Sequence, residues 1–186
     1  MKLALITSPL ALEDEIKMLR EMLDLGSFWL HIRKPAWDKA RVGQLVLALD
    51  SPTRLCLHGP INWALEWGLG GVHYGERLLA EAPAPTKGIN RSRAVHQAKD
   101  LGGDWERALI SPLFDSISKP GYKAQGDLLA LGKVKTPIET YALGGVSLAR
   151  LETVESLGFK GAAVLGAVWQ APKPIQVWRQ FLSEVS

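Results

Sequence analysis

At 186 residues, with 47% hydrophobic and 22% charged residues, the chain has the composition of one globular domain large enough to bury a sizeable core, which excludes a disordered class. A net charge of +3 with no long Lys/Arg cluster argues against a nucleic-acid groove and suits a small anionic ligand. No apolar run reaches the roughly 18 residues of a membrane-spanning helix. The single cysteine, Cys56 in "RLCLHG", reads as a buried thiol and fits a reducing cytoplasm.

The start, "MKLALITSPLALEDE", mimics a signal peptide only faintly. Pro9 interrupts the apolar run and acidic residues follow, so the segment reads as a first strand over 3–8. Leu12, Ile16, Leu19 and Leu23 then recur at helical spacing over 12–25, with Glu13, Asp14 and Glu15 at the favourable end. "FWLHIRK" (28–34) is the second strand, with a helix over 37–49. "RLCLHG" (54–59) is the third, with a helix near 61–68. "GGVHYGE" (70–76) is the fourth, followed by a segment carrying Pro83 and Pro85 that supports only a stub of helix. "KGINRS" (87–92) is the fifth strand, with a helix over 94–101; "RALISPLF" (107–114) is the sixth, with a helix over 125–132. "IETYALGG" (138–145) is the seventh, and Leu148, Leu151, Val154 and Leu157 form one face of the next helix. "GAAVLGAV" (161–168) is the eighth, and Pro174 opens a last helix.

Eight strands alternating with helices predict a parallel sheet, and the count of eight predicts a closed (β/α)8 TIM barrel occupying residues 1–186 as one domain. The chain is shorter than the roughly 200 residues at the lower end for this fold, which calls for a compact barrel with a reduced helix after the fourth strand. A doubly wound open sheet is the alternative.

Polar residues gather where strands end. Side chains alternate between barrel interior and helices, so in "FWLHIRK" the set Trp29, His31 and Arg33 opposes Phe28, Leu30 and Ile32. His58, His73, Glu76, Asn90, Ser92 and His96 close or follow other strands, and barrels build their sites at that C-terminal face. "ISPLFDSISKPGY" ends the sixth strand with Ser116, Ser118 and Lys119, two hydroxyls and an ammonium that suit phosphate oxygens; a solvated turn is the plain alternative. Gly144, Gly145 and Gly166 put bare backbone at the ends of the last two strands, where an oxyanion can approach N–H groups; tight turns are the competing explanation.

From about Phe28 to Gln170 the chain resembles the thiamine phosphate synthase and thiazole tautomerase superfamily, as a divergent member. The likeness rests on "LHIRKP", "GLGGVHYGE", "AVHQAKDL", "ISPLFDSISKPGY", "ALGGV" and "GAAVLGAV", in that order. It implies that Ser116, Ser118 and Lys119 bind a pyrimidine diphosphate and that Gly144, Gly145 and Gly166 hold a thiazole phosphate. His31, Lys34, His58, Glu76, Asn90 and Ser92 complete the expected pocket, and His96, Arg33 and Lys119 are the expected catalytic residues.

Departures from the family pattern divide the functional readings. The synthase pattern has an Asn-Asp pair where this chain has His58 and Gly59, and a second metal carboxylate where it has Glu76, Arg77 and Leu78. No metal-ligand set is assigned, and magnesium is expected only if the chain is a synthase. A tautomerase-like proton transfer, with His96 as base, is therefore the favoured expectation. The synthase reaction, joining a pyrimidine diphosphate to a thiazole phosphate, is the alternative, and a binder of thiamin-related phosphates without turnover is the third reading. A small phosphorylated heterocycle is the expected partner, with neither nucleic acid nor membrane; monomer and homo-oligomer fit the sequence equally.

Overall fold

A computed structural model describes residues 1–115 and 126–185. Its strands are β1 (Lys2–Ile6), β2 (Trp29–Ile32), β3 (Leu55–Leu57), β4 (Gly71–Tyr74), β5 (Asn90–Val95), β6 (Arg107–Ile110), β7 (Glu139–Ala142) and β8 (Gly161–Val164). Each pairs in parallel with its chain neighbours, and β8 pairs with β1, so the sheet closes in sequence order. The open-sheet alternative is thereby excluded.

The helices are α1 (Glu15–Asp24), α2 (Lys39–Leu49), α3 (Ile61–Glu66), α4 (Leu151–Ser156), α5 (Gly166–Trp169) and α6 (Pro174–Glu184). Local chemistry sets several of their ends. The Asp38 side chain accepts from the Arg41 N–H at 2.9 Å at the start of α2. Pro174 occupies the first turn of α6, where its missing N–H costs nothing. Among the described residues no helix is long and apolar enough to cross a membrane.

The compactness comes from one quadrant. After β4, β5 and β6 the described chain makes only 3-10 turns, at Glu76–Glu81, Ala98–Asp100 and Gly126–Lys133. The reduced connection after the fourth strand follows the sequence reading; the helices expected over 94–101 and 125–132 do not form. The fifth strand is also shifted. It begins at Asn90 rather than ending near Ser92, because 87–89 is a turn with Gly88 at φ 90°. Arg91 was placed in this strand by the sequence reading and lies in it, near its start. Its guanidinium lies 4.8 Å from the Trp105 ring and donates to the Pro83 carbonyl at 2.6 Å.

Two apolar clusters hold the barrel. The larger lies between strands and helices and includes Leu30, Ile32, Val42, Leu45, Trp178 and Phe181. The smaller fills the interior, with Ala4, Ile6, Leu109, Tyr141 and Ala163. α6 packs beside α1 and α5, where Trp178 is fully buried and meets the Phe28 ring edge-on at 4.6 Å. Trp178→Ala should lower the unfolding free energy by about 3–5 kcal/mol in a denaturant titration, the usual cost of deleting a fully buried large aromatic.

Candidate active site

Strand alternation decides which side chains meet inside the barrel. His31 on β2 stands opposite Cys56 on β3, Cys56 opposite Gly71 on β4, and His73 opposite Ser92 on β5. These positions and those two residues away share the inward face. At the N-terminal end Arg107 plugs the interior, its guanidinium 4.6 Å from the Trp29 ring and 5.0 Å from the Tyr141 ring. At the C-terminal end a cavity of about 320 Å3 opens.

Six expected site residues line that cavity: Arg33, His58, His96, Gly144, Gly145 and Gly166. Arg33 ends β2, and its backbone N–H donates to Thr7 Oγ1 at 2.9 Å, which ties the tips of β1 and β2 together. His96 follows β5 directly. Its Nδ1 lies 2.7 Å from the Ser111 carbonyl oxygen, which can only accept, so Nδ1 carries the proton and neutral His96 has its lone pair at Nε2. Ser111 itself lines the cavity and was missed by sequence reasoning.

The glycine pair has a packing reason as well. Gly144 and Gly145 adopt φ 91° and 66°, and a Cβ on Gly145 would stand 2.4 Å from the Asp115 carbonyl oxygen. The Phe114 N–H donates to the Gly144 carbonyl at 3.1 Å, so the segment leaving β6 runs against the end of β7. The tight turns at Gly144 and Gly145 are therefore also part of the cavity wall. Ser116, Ser118 and Lys119 lie outside the described residues.

Four expected pocket residues stand elsewhere. Lys34 is one position beyond Arg33, and alternation sends it to the opposite face. It is buried with Nζ donating to Glu15 Oε2 at 2.7 Å and to the Leu10 carbonyl at 2.8 Å, where it anchors the start of α1. Burial raises the Glu15 carboxyl and lowers the Lys34 ammonium against their mutual attraction. Glu76 is exposed in a 3-10 turn and does not line the cavity. Asn90 sits at the opposite end of its strand, because β5 starts there; its Nδ2 donates to the Gly70 carbonyl at 3.2 Å. Ser92 is a layer below the cavity, buried, with its hydroxyl 2.9 Å from His73 Nδ1.

His31, His58 and His73 form one cluster beneath and within the cavity floor. His31 Nδ1 lies 2.9 Å from His58 Nε2, and the rings of His58 and His73 are 4.2 Å apart between centroids. His73 lines the cavity together with His58. Burial holds His31 and His58 well below the usual histidine range and His73 down at about 3, and the guanidinium groups of Arg33 and Arg107 push in the same direction. The three rings are therefore neutral at physiological pH. Cys56, packed nearby, is pushed up to about 11 by burial and stays a thiol.

The family pattern implies magnesium, which takes oxygen ligands in near-octahedral geometry. Among the described residues no carboxylate lines the cavity, Glu76 is displaced from it, and the group able to hold a metal is these three imidazoles. Magnesium does not fit that donor set.

A family model described as thiamine monophosphate synthase matches residues 3–168, nearly the whole barrel. The chain belongs to that family. Curated relatives include thiamine-phosphate synthases from Thermosynechococcus vestitus, 28% identical over 68% of this chain and 38% of that protein, and from Parasynechococcus marenigrum, 26% identical over all of this chain and 56% of that protein. The chain thus spans about half or less of the length of these relatives. The crystal structure of thiamine phosphate pyrophosphorylase from Bacteroides thetaiotaomicron superposes with a TM-score of 0.81 at 20% identity, covering 100% of this chain and 98% of that one, and so has the same fold. The superfamily recognised from six short motifs is the one the comparisons return.

The buried imidazoles predict acid lability of this family member. Their folded-state pKa values are depressed, so below about 6.5 the unfolded chain takes up protons that the folded chain refuses, and stability falls as pH falls. Each histidine contributes a slope of about 1.4 kcal/mol per pH unit in that window, which for His73 extends to about 3. Metal-free protein should lose unfolding free energy steadily between pH 6.5 and 4 in denaturant titrations; a flat profile would contradict the assignment.

Proposed function

We propose that this chain acts in the assembly of thiamin phosphate, at the coupling step for which its relatives are named, as a cytoplasmic enzyme that joins a pyrimidine diphosphate to a thiazole phosphate. The observation that carries the proposal is the single mouth at which Arg33, His96 and the turns at Gly144, Gly145 and Gly166 surround one cavity. Two features support an anionic ligand there: the lining has no carboxylate among the described residues, and it carries the Arg33 guanidinium. Backbone N–H groups at the glycine turns suit the phosphoryl tail of the thiazole, and the motif resemblance assigns the diphosphate to Ser116, Ser118 and Lys119.

The leaving diphosphate gathers negative charge as the bond to the pyrimidine methylene lengthens. Fixed cations aimed at that charge lower the barrier without reorganising. Arg33 is the described residue positioned for this, and Lys119 is the second cation that the motif supplies. Sequence reasoning ranked proton transfer first; the names of the relatives weigh toward coupling instead.

One observation keeps proton transfer as a second reading. The Ser111 carbonyl fixes the His96 tautomer and leaves Nε2 as acceptor in a residue that lines the cavity, which is what a general base requires.

Incubation with both substrates should yield thiamin phosphate and pyrophosphate, followed by chromatography. Aromatised thiazole phosphate appearing instead, from its non-aromatic tautomer alone, would establish the second reading; saturable binding without either product would make the chain a binder. Arg33→Ala should lower kcat/KM for coupling by about 10²–10³, the usual effect of deleting one group that stabilises developing charge. His96→Gln separates the two enzymatic readings, because loss of a general base costs about 10²–10⁴ in rate, whereas coupling should fall far less.

A further inference from the structure

We propose that His31, His58 and His73 form a binding site for a divalent transition-metal ion of the zinc class at the floor of the cavity, with one coordination position open to the mouth. The three residues come from β2, from the residue after β3, and from β4, adjacent staves of the barrel, so the backbone beneath them is held by ladder hydrogen bonds.

The spacing suits the ion. One nitrogen from each ring can be chosen so that all three lie within 4.8 Å of one another. Tetrahedral zinc with Zn–N near 2.0–2.1 Å separates its ligands by roughly 3.3 Å. Ring shifts of about an ångström or less bring the cluster to that arrangement.

Two further observations point to a ligand. His31 is fully buried and its Nε2 has no hydrogen-bond partner, an expensive state for a ring nitrogen in a closed interior. His73 has an orienting partner of the kind metal-bound histidines use. With the Ser92 hydroxyl turned to the Val72 carbonyl at 3.4 Å, Ser92 Oγ accepts from His73 Nδ1–H at 2.9 Å and leaves Nε2 as the free lone pair.

Charge specifies the fourth ligand. Three neutral imidazoles leave both charges of the ion uncompensated, and Arg33 lines the same cavity. The open position therefore favours an anion, hydroxide at rest or a phosphate oxygen when the cavity is occupied. The competing structure is a metal-free cluster of neutral rings stacked on one another, which the ring contacts also allow. The proposal does not depend on the coupling reaction, since binding is read without substrate.

Tag-free protein stripped with a chelator should be titrated with Co2+. The expected result is one equivalent bound with the intense visible bands of tetrahedral cobalt, displaced by one equivalent of Zn2+ and unaffected by a large excess of Mg2+. Inorganic phosphate should shift those bands. His58→Gln, at the half-buried position that tolerates change best, should abolish the bands, as should His73→Gln if it folds; His96→Gln should bind as the native chain does. Absence of cobalt bands together with an unchanged melting temperature in Zn2+ overturns the proposal. So do bands that persist in His58→Gln, or that vanish in His96→Gln.

Discussion

Closing a sheet into a small barrel forces every second side chain into a space with no exit but the two ends, and the rest of this molecule follows from how that space is filled. The apolar part is small: Ala4, Ile6, Leu109, Tyr141 and Ala163. Arg107, Ser92, Cys56, His31 and His73 occupy the remainder, all buried. Such groups cost several kcal/mol apiece when left unpaired. The interior answers with stacked layers: a guanidinium between aromatic rings at the bottom, hydroxyl and imidazole in the middle, and imidazoles at the floor of the mouth. The bottom is closed by Arg107 stacked between aromatic rings, so the interior is open to a ligand only at the other end, where the cavity lies.

The fold was legible because its signal repeats. Eight apolar runs separated by amphipathic stretches survive errors in any one of them. The errors fell at the fifth strand, where Arg93 and Ala94 extend a strand that was ended at Ser92, and in the helices expected after the fifth and sixth strands, which form only 3-10 turns among the described residues. The site was legible by halves. Residues fixed by a strand end, such as Arg33 and His58, or by the turns at Gly144, Gly145 and Gly166, line the cavity. Lys34 was misplaced because it directly follows Arg33, and in a strand a single step moves a side chain to the other face. Asn90 was misplaced by three residues of strand register. The histidine cluster was missed as a set because its members come from three successive stave positions. Only strand pairing makes neighbours of them, although three consecutive strands each bearing a histidine at or near the C-terminal end was a readable hint.

The economy of the chain and the composition of its mouth are connected. After β4 and β5 the described chain makes only 3-10 turns, and none of the carboxylates in those turns lines the cavity. Glu76 illustrates this: tied into a turn that begins immediately after β4, it points into solvent. The groups left to define the cavity are those the strands themselves carry to their tips. Among the described residues those include imidazoles, the Ser111 hydroxyl and one guanidinium, with no carboxylate.

That replacement changes what the mouth can hold. A rim of carboxylates recruits a hard cation and, through it, phosphate oxygens. A rim with Arg33, bare glycine backbone and neutral imidazoles suits phosphate oxygens without a bridging cation, and its lone pairs suit softer ions. The neutrality of the three rings matters to both tasks, for a different reason in each. Charged, they would add to Arg33 and Arg107 a positive charge that the interior could not bear; neutral, they present acceptor nitrogens beside a cationic wall. Burial in a closed barrel is what keeps them neutral, so the closure that sets the fold also sets the chemistry available at its open end.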